Sequence, residues 1–104
     1  MELPKVIADL VNAQNAFNSI AYANCFSETA EVFDEGKKFQ GKPDIQKWID
    51  RSNRQYKAVM KPIEYSATEQ ILKAEISGTF PGSPLVLSYQ FEFKDGQIQS
   101  LKIV

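Results

Sequence analysis

The side chains available for chemistry in this sequence are carboxylates, phenols and one thiol, because it contains no histidine. Without imidazole the chain has neither a Ser-His-Asp or Cys-His relay nor a histidine-bound zinc. Its glycines, at positions 36, 41, 78, 82 and 96, form neither a GxGxxG motif nor a phosphate-binding loop. Any catalysis is therefore confined to carboxylate and phenol chemistry, and we expect neither a metal nor a cofactor.

The remaining reactive groups do not form a recognisable site by spacing. The single thiol, Cys25, cannot form an internal disulfide or a CxxC redox pair, and we expect it to be a buried small apolar residue. The glutamates at positions 64, 69, 75 and 92 match no metal-ligand pattern, and polar positions of a sheet usually face water. Neither set predicts a metal site.

Composition excludes several functional classes. The 104 residues are enough for one domain, residues 1–104, and the net charge is −1, so no basic surface for nucleic acid is expected. No apolar run approaches the roughly 20 residues of a membrane span, and the first residues lack a signal-peptide core. We therefore expect a cytoplasmic protein with no membrane partner. The aromatic share of 12% is high, and these rings line either a solid core or a cavity.

Hydrophobic periodicity predicts helices in the first part of the chain. A first helix begins at Pro4, with one apolar face formed by Val6, Leu10, Ala13 and Phe17. After a break at Asn18, a short apolar helix is predicted from Ile20 to Phe26. A short strand, Ala30–Asp34, precedes the charged turn 35–38. A third helix begins near Pro43 and has an apolar face of Ile45, Trp48, Ile49 and Tyr56.

After Lys57 the apolar period changes to two, which predicts strands. The predicted inward positions are Val59, Ile63 and Tyr65, then Leu72, Ala74, Ile76, Gly78 and Phe80, and then alternate residues from Leu85 to Phe93. Asp95-Gly96 is a type I′ hairpin signal, and the spacing of Ile98 and Leu101 predicts a bulge. The pattern predicts an α+β domain whose helices cover one face of a curved, mainly antiparallel sheet.

Three segments resemble the nuclear-transport-factor-2-like superfamily in its SnoaL-like branch: Tyr22–Asp34, Phe39–Trp48 and Phe91–Ile98. The resemblance implies a cone-shaped fold, with three N-terminal helices packed on a strongly curved sheet that leaves a pocket at its open end. Relatives include ketosteroid isomerase, scytalone dehydratase, polyketide cyclases and proteins that only bind or associate. Fold alone therefore does not assign the function.

Matching the chain to ketosteroid isomerase places that enzyme's general-base aspartate at Asp34. The position of its oxyanion-hole tyrosine holds Leu10, and the position of its protonated aspartic acid holds Tyr89. Steroid isomerisation is therefore not expected, but a different proton transfer is, with Asp34 as base and Tyr89 as donor. Such a base needs a raised pKa. The alternatives are a solvated Asp34 in a charged turn and a core Tyr89 with its hydroxyl at the rim.

Two functions follow from the resemblance. The first is a pocket for a small hydrophobic molecule, with cofactor-free chemistry of the isomerase, cyclase or dehydratase type. Its predicted walls are Phe17, Tyr22, Phe26, Trp48, Tyr65, Phe80, Leu87 and Phe91, each of which alternatively belongs to a solid core. The second is a non-catalytic module that forms a homodimer through its outer sheet face. That face is predicted to be polar, with residues such as Lys73, Glu75 and Gln90.

Overall fold

The computed structural model describes all 104 residues as three helices and one six-stranded sheet. The helices are α1 (Lys5–Asn15), α2 (Ser19–Ala23) and α3 (Lys42–Tyr56). The strands are β1 (Phe26–Asp34), β2 (Lys37–Gln40), β3 (Val59–Ser66), β4 (Ile71–Ser77), β5 (Leu85–Lys94) and β6 (Gln97–Ile103). Their order is β2-β1-β6-β5-β4-β3, and β1 and β6 are parallel while the other neighbours are antiparallel. The predicted α+β class is confirmed, with a mixed sheet.

Helix α2 is shorter than the sequence predicts. Asn18 caps it as expected, because its Oδ1 accepts a hydrogen bond from the Ala21 N–H at 3.0 Å. The helix nevertheless ends at Ala23, and β1 already begins at Phe26. The Ile98 N–H donates to the Cys25 carbonyl at 2.9 Å, so pairing with β6 draws this segment into the sheet. The predicted helix through Phe26 is therefore wrong.

A strand that the periodicity missed, β2, forms a hairpin with β1. Glu35 and Gly36 both have positive φ, 52° and 76°, as a two-residue type I′ turn requires. The turn thus ends at Gly36, and Lys37 pairs with Asp34 while Phe39 pairs with Val32. The hairpin places Asp34 at the end of its strand, beside the first residue of β2.

The predicted turn and bulge between β5 and β6 are confirmed. Asp95 and Gly96 have φ values of 53° and 77°. Ile98 pairs with Phe93 and Ser100 pairs with Glu92, so Gln99 has no partner on β5. Because one extra residue shifts the alternation, Ile98 and Leu101 both point into the core.

The inward face of β3 differs from the prediction. Val59 and Ile63 are exposed, whereas Met60 is buried opposite Ile76 of β4. A register irregularity after Pro62 interrupts the alternation on which the prediction depended. Phe80 lies beyond the end of β4, in the loop that leads to β5.

The helices pack on the strands in a way that leaves a cavity beside α3. Helix α3 contacts β1 and β2, and α1 contacts α2 and β3. The core contains the inward residues of all three helices and of β1, β3, β4, β5 and β6. No helix is both long enough and apolar enough to cross a membrane.

Candidate active site

A cavity of about 580 Å³ lies between α3, the β1–β2 hairpin, strands β3 to β6 and the loop before β5. Its floor consists of buried side chains: Gln14, Tyr22, Trp48, Ile49, Met60, Ile76 and Tyr89. Its rim includes exposed charged and polar residues: Glu35, Lys37, Arg51 and Gln55. Fourteen of its 22 lining residues are hydrophobic, and small-molecule sites usually combine apolar walls with some polar groups.

Asp34 and Tyr89 reach this cavity from one row of the sheet. Phe33 of β1 and Gln90 of β5 both pair with Lys102 of β6, so the next row contains Asp34, Ile103 and Tyr89. Side chains of one row point to the same face, and two strand spacings separate the outer members by roughly 10 Å between backbones. Asp34, Ile103 and Tyr89 all line the cavity.

The Asp34 carboxyl is half-buried, and burial raises its pKa, with a further increase from the negative charge of Glu35. No side-chain hydrogen bond uses this carboxylate. Lys37 pairs with Asp34 along the backbone but forms no ion pair with it. A poorly solvated carboxylate without a fixed partner is a stronger base than an exposed one.

Two phenols lie at the cavity floor. Burial raises the pKa of both Tyr22 and Tyr89, and the Asp34 carboxylate raises each further. Both hydroxyls therefore stay protonated at neutral pH. Neither hydroxyl is hydrogen-bonded to another protein side chain, neither oxygen is a fully buried unpaired atom, and both residues line the cavity. They are hydrogen-bond donors for an oxygen placed there.

Aromatic rings form one wall. Trp48 stacks on Phe39 with centroids 5.4 Å apart and meets the edge of Tyr22 at 6.1 Å. Phe39 was missed as a wall residue because β2 was not predicted. Lys37 and Phe39 are two residues apart on β2, so their side chains point to the same face and both line the cavity. On α3, residues 51, 52 and 55 share the face of Trp48 at helical spacing, which also places them at the cavity.

Several predicted residues meet here: Asp34, Tyr89, Tyr22, Trp48, Phe80 and Leu87 all line the cavity. Phe26 and Phe91 do not, because both are buried in the core, where Phe91 stacks between Tyr89 and Phe93. Phe17 follows the end of α1 with a positive φ of 53° and is 46% exposed. Tyr65 is near the opposite end of β3 from Met60 and lies outside the cavity lining.

The other reactive groups form no second centre. Cys25 is buried, and burial raises the pKa of its thiol to about 11, so it stays protonated. No group of three or more acidic or thiol side chains is arranged to hold a metal ion.

Comparison with known proteins places the chain in a family. No family model and no curated protein matches the sequence. A candidate polyketide cyclase from Sinorhizobium meliloti is 33% identical to it, with a TM-score of 0.91 over 98% of this chain and 95% of that one.

More distant structures share the fold. A protein with a ketosteroid isomerase-like fold from Catenulispora acidiphila, in complex with trimethylamine, has 17% identity and a TM-score of 0.86 over 99% of this chain and 86% of its own. A candidate polyketide cyclase from a Silicibacter species has 21% identity and a TM-score of 0.81 over 95% and 85%. On the identity to the Sinorhizobium protein over nearly the whole of both chains, this chain belongs to the SnoaL-like branch of the NTF2-like superfamily.

Proposed function

We propose that the cavity binds a small, mainly apolar molecule and that Asp34 and Tyr89 transfer a proton on it without a cofactor. The observation that carries the proposal is that Asp34 and Tyr89 lie in one row of the sheet at one cavity. The carboxylate of the first and the hydroxyl of the second are hydrogen-bonded to no protein side chain. The proposal includes the cone-shaped fold of the family, because a cone encloses the inner face of the sheet. The 33% identity to a candidate polyketide cyclase supports chemistry of this class.

The two groups have complementary roles in such a reaction. The Asp34 carboxylate removes a proton from a carbon next to a carbonyl group, and the Tyr89 hydroxyl donates a hydrogen bond to the carbonyl oxygen. As negative charge develops on that oxygen, the hydrogen bond strengthens, which lowers the barrier. The protonated Asp34 then returns the proton to another atom of the same molecule. A ligand that fills the cavity displaces water from around Asp34, which keeps the carboxylate basic.

Homodimer formation through the outer sheet face stays a prediction. That face carries an ion pair between Lys73 and Glu64 at 3.8 Å and exposed polar residues such as Gln90 and Glu92. Its exposed apolar residues include Val86, 60% exposed, and Val59, 41% exposed, which pairs with Ser77 of β4. The mainly polar character of this face favours the ligand-binding proposal over an association module.

Trp48, the single tryptophan, allows a direct binding test. Titration with the apolar fluorophore N-phenyl-1-naphthylamine is expected to quench Trp48 by energy transfer. Leu87→Glu puts a charge into the cavity wall and is expected to weaken binding at least about tenfold. Val86→Glu is the matched control, because Val86 directly precedes Leu87 on β5 and its side chain points to the opposite face. Absence of transfer, or equal loss in both variants, contradicts the proposal.

A further inference from the structure

Gln14 of α1 is a polar side chain in the cavity floor and is only 7% exposed. Its Nε2 donates two hydrogen bonds, to Asn53 Oδ1 at 2.9 Å and to the Ala58 carbonyl oxygen at 2.7 Å. These bonds connect α1 to α3 and to the segment before β3. Both amide protons of Gln14 are therefore used inside the protein.

The Ala58 contact determines which way the amide points. A backbone carbonyl accepts hydrogen bonds and never donates them, so the Gln14 atom at 2.7 Å from it must be Nε2. Asn53 must then present Oδ1 to the same nitrogen, which leaves Asn53 Nδ2 buried and without a partner. A reversed Gln14 amide would place two oxygens against each other at Ala58. The hydrogen-bonding chemistry therefore determines the orientation of the Gln14 amide.

The remaining polar atom of the side chain, Gln14 Oε1, is an acceptor without a hydrogen-bond partner in the protein. It takes part in neither hydrogen bond of this side chain. It is also not sealed in the core, because the buried side-chain atom without a partner is Asn53 Nδ2 and not Gln14 Oε1. Gln14 lines the cavity and its amide nitrogen is already held by Asn53 and Ala58, so Oε1 is the polar atom of this side chain that is left for a ligand.

We propose that Gln14 Oε1 accepts a hydrogen bond from a hydroxyl or N–H group of the ligand, and that the cavity therefore selects apolar ring compounds carrying such a donor. This inference rests on the proposed function, because it takes the cavity as the ligand site. A ligand without a donor displaces water from Oε1 and leaves it unpaired, which costs affinity. Gln14 thereby determines specificity, whereas Asp34 and Tyr89 act on the reacting atoms.

A matched pair of compounds tests this role. 2-Naphthol carries a hydroxyl donor, and 2-methoxynaphthalene has the same rings with an acceptor only. Their dissociation constants are measured by displacement of N-phenyl-1-naphthylamine. Gln14→Met is expected to weaken the binding of 2-naphthol about threefold to tenfold. The affinity for 2-methoxynaphthalene should change by less than about twofold. Gln90→Met, on the outer face of β5, is the control and should change neither.

A measurement on the unaltered protein covers the case in which Gln14→Met fails to fold, since this variant removes donors from Ala58 and Asn53. The carbon-13 shift of the Gln14 side-chain carbonyl should move with 2-naphthol and not with 2-methoxynaphthalene. An unchanged ratio of affinities in Gln14→Met, or equal shifts with both compounds, overturns the role of Gln14 alone. If N-phenyl-1-naphthylamine itself does not bind, the proposed function fails as well.

Discussion

Asp34→Asn is expected to lower protein-catalysed hydrogen exchange of an apolar ketone by at least about a hundredfold, the usual contribution of a positioned general base. The test compound is 2-tetralone in deuterated water, with exchange next to its carbonyl followed by proton NMR. Asparagine keeps the size of the side chain but cannot accept the proton. Tyr89→Phe should give a smaller loss, because it removes one donor to the carbonyl oxygen and leaves the base in place.

The matched control for this variant is Asp95→Asn, the same chemical change in the turn between β5 and β6. Asparagine tolerates the positive φ of Asp95, 53°, so the turn should be retained. Asp34→Asn should also remain folded. Because burial raises the pKa of Asp34, ionisation of this group opposes folding as the pH rises through its raised pKa. A neutral side chain removes that cost, so the free energy of unfolding at neutral pH should not fall. Equal exchange in both variants contradicts the assignment of the base.

Phe26→Ala is expected to lower the free energy of unfolding by about 3–5 kcal/mol. The Phe26 ring is 0% exposed and lies 5.7 Å from the Tyr22 ring, so its removal leaves a cavity in the core. A domain of this size typically has about 5–15 kcal/mol of stability, so the variant should be close to unfolding. Urea denaturation followed by circular dichroism measures the change.

Phe17→Ala is the comparison for Phe26→Ala, since both phenylalanines are predicted pocket residues that lie outside the cavity lining. Phe17 is 46% exposed, and its removal should cost less than about 1 kcal/mol. A small loss of unfolding free energy in Phe26→Ala, together with weaker binding of N-phenyl-1-naphthylamine, would show that Phe26 lines the pocket. The expected result separates residues that build the core from residues that line the site.

The sequence predicts most of the fold where one periodicity runs without interruption. Helix α3 and strands β4 to β6 follow their apolar patterns, and Asp95-Gly96 identifies its own turn. The pattern fails where pairing or a helix end overrides it. Phe17 lies at helical spacing from Ala13, but α1 ends at Asn15 and the next residues turn away. Strand β2 has one large apolar residue, Phe39, which is too little for a periodic signal.

The candidate site depends on residues that periodicity cannot bring together. Asp34 and Tyr89 are far apart in the sequence, and only the insertion of β6 between β1 and β5 puts them in one row. Gln14 had a usable signal, because Ile7, Leu10, Val11 and Gln14 follow the spacing of one helix face. A polar residue on such a face is either hydrogen-bonded in the core or exposed to a cavity. Its partners Asn53 and Ala58 become identifiable only in the structure.

The most direct test of the central claim is the titration of the Asp34 carboxyl, followed by its carbon-13 shift in labelled protein. We predict a pKa above the usual value of about 3.9, because the carboxyl is partly buried and therefore poorly hydrated, and because Glu35 adds negative charge nearby. The pKa should rise further when N-phenyl-1-naphthylamine fills the cavity and should fall in Glu35→Gln. A pKa at or below the usual value, unchanged by the fluorophore, would show a solvated turn residue and contradict Asp34 as the base of an apolar site.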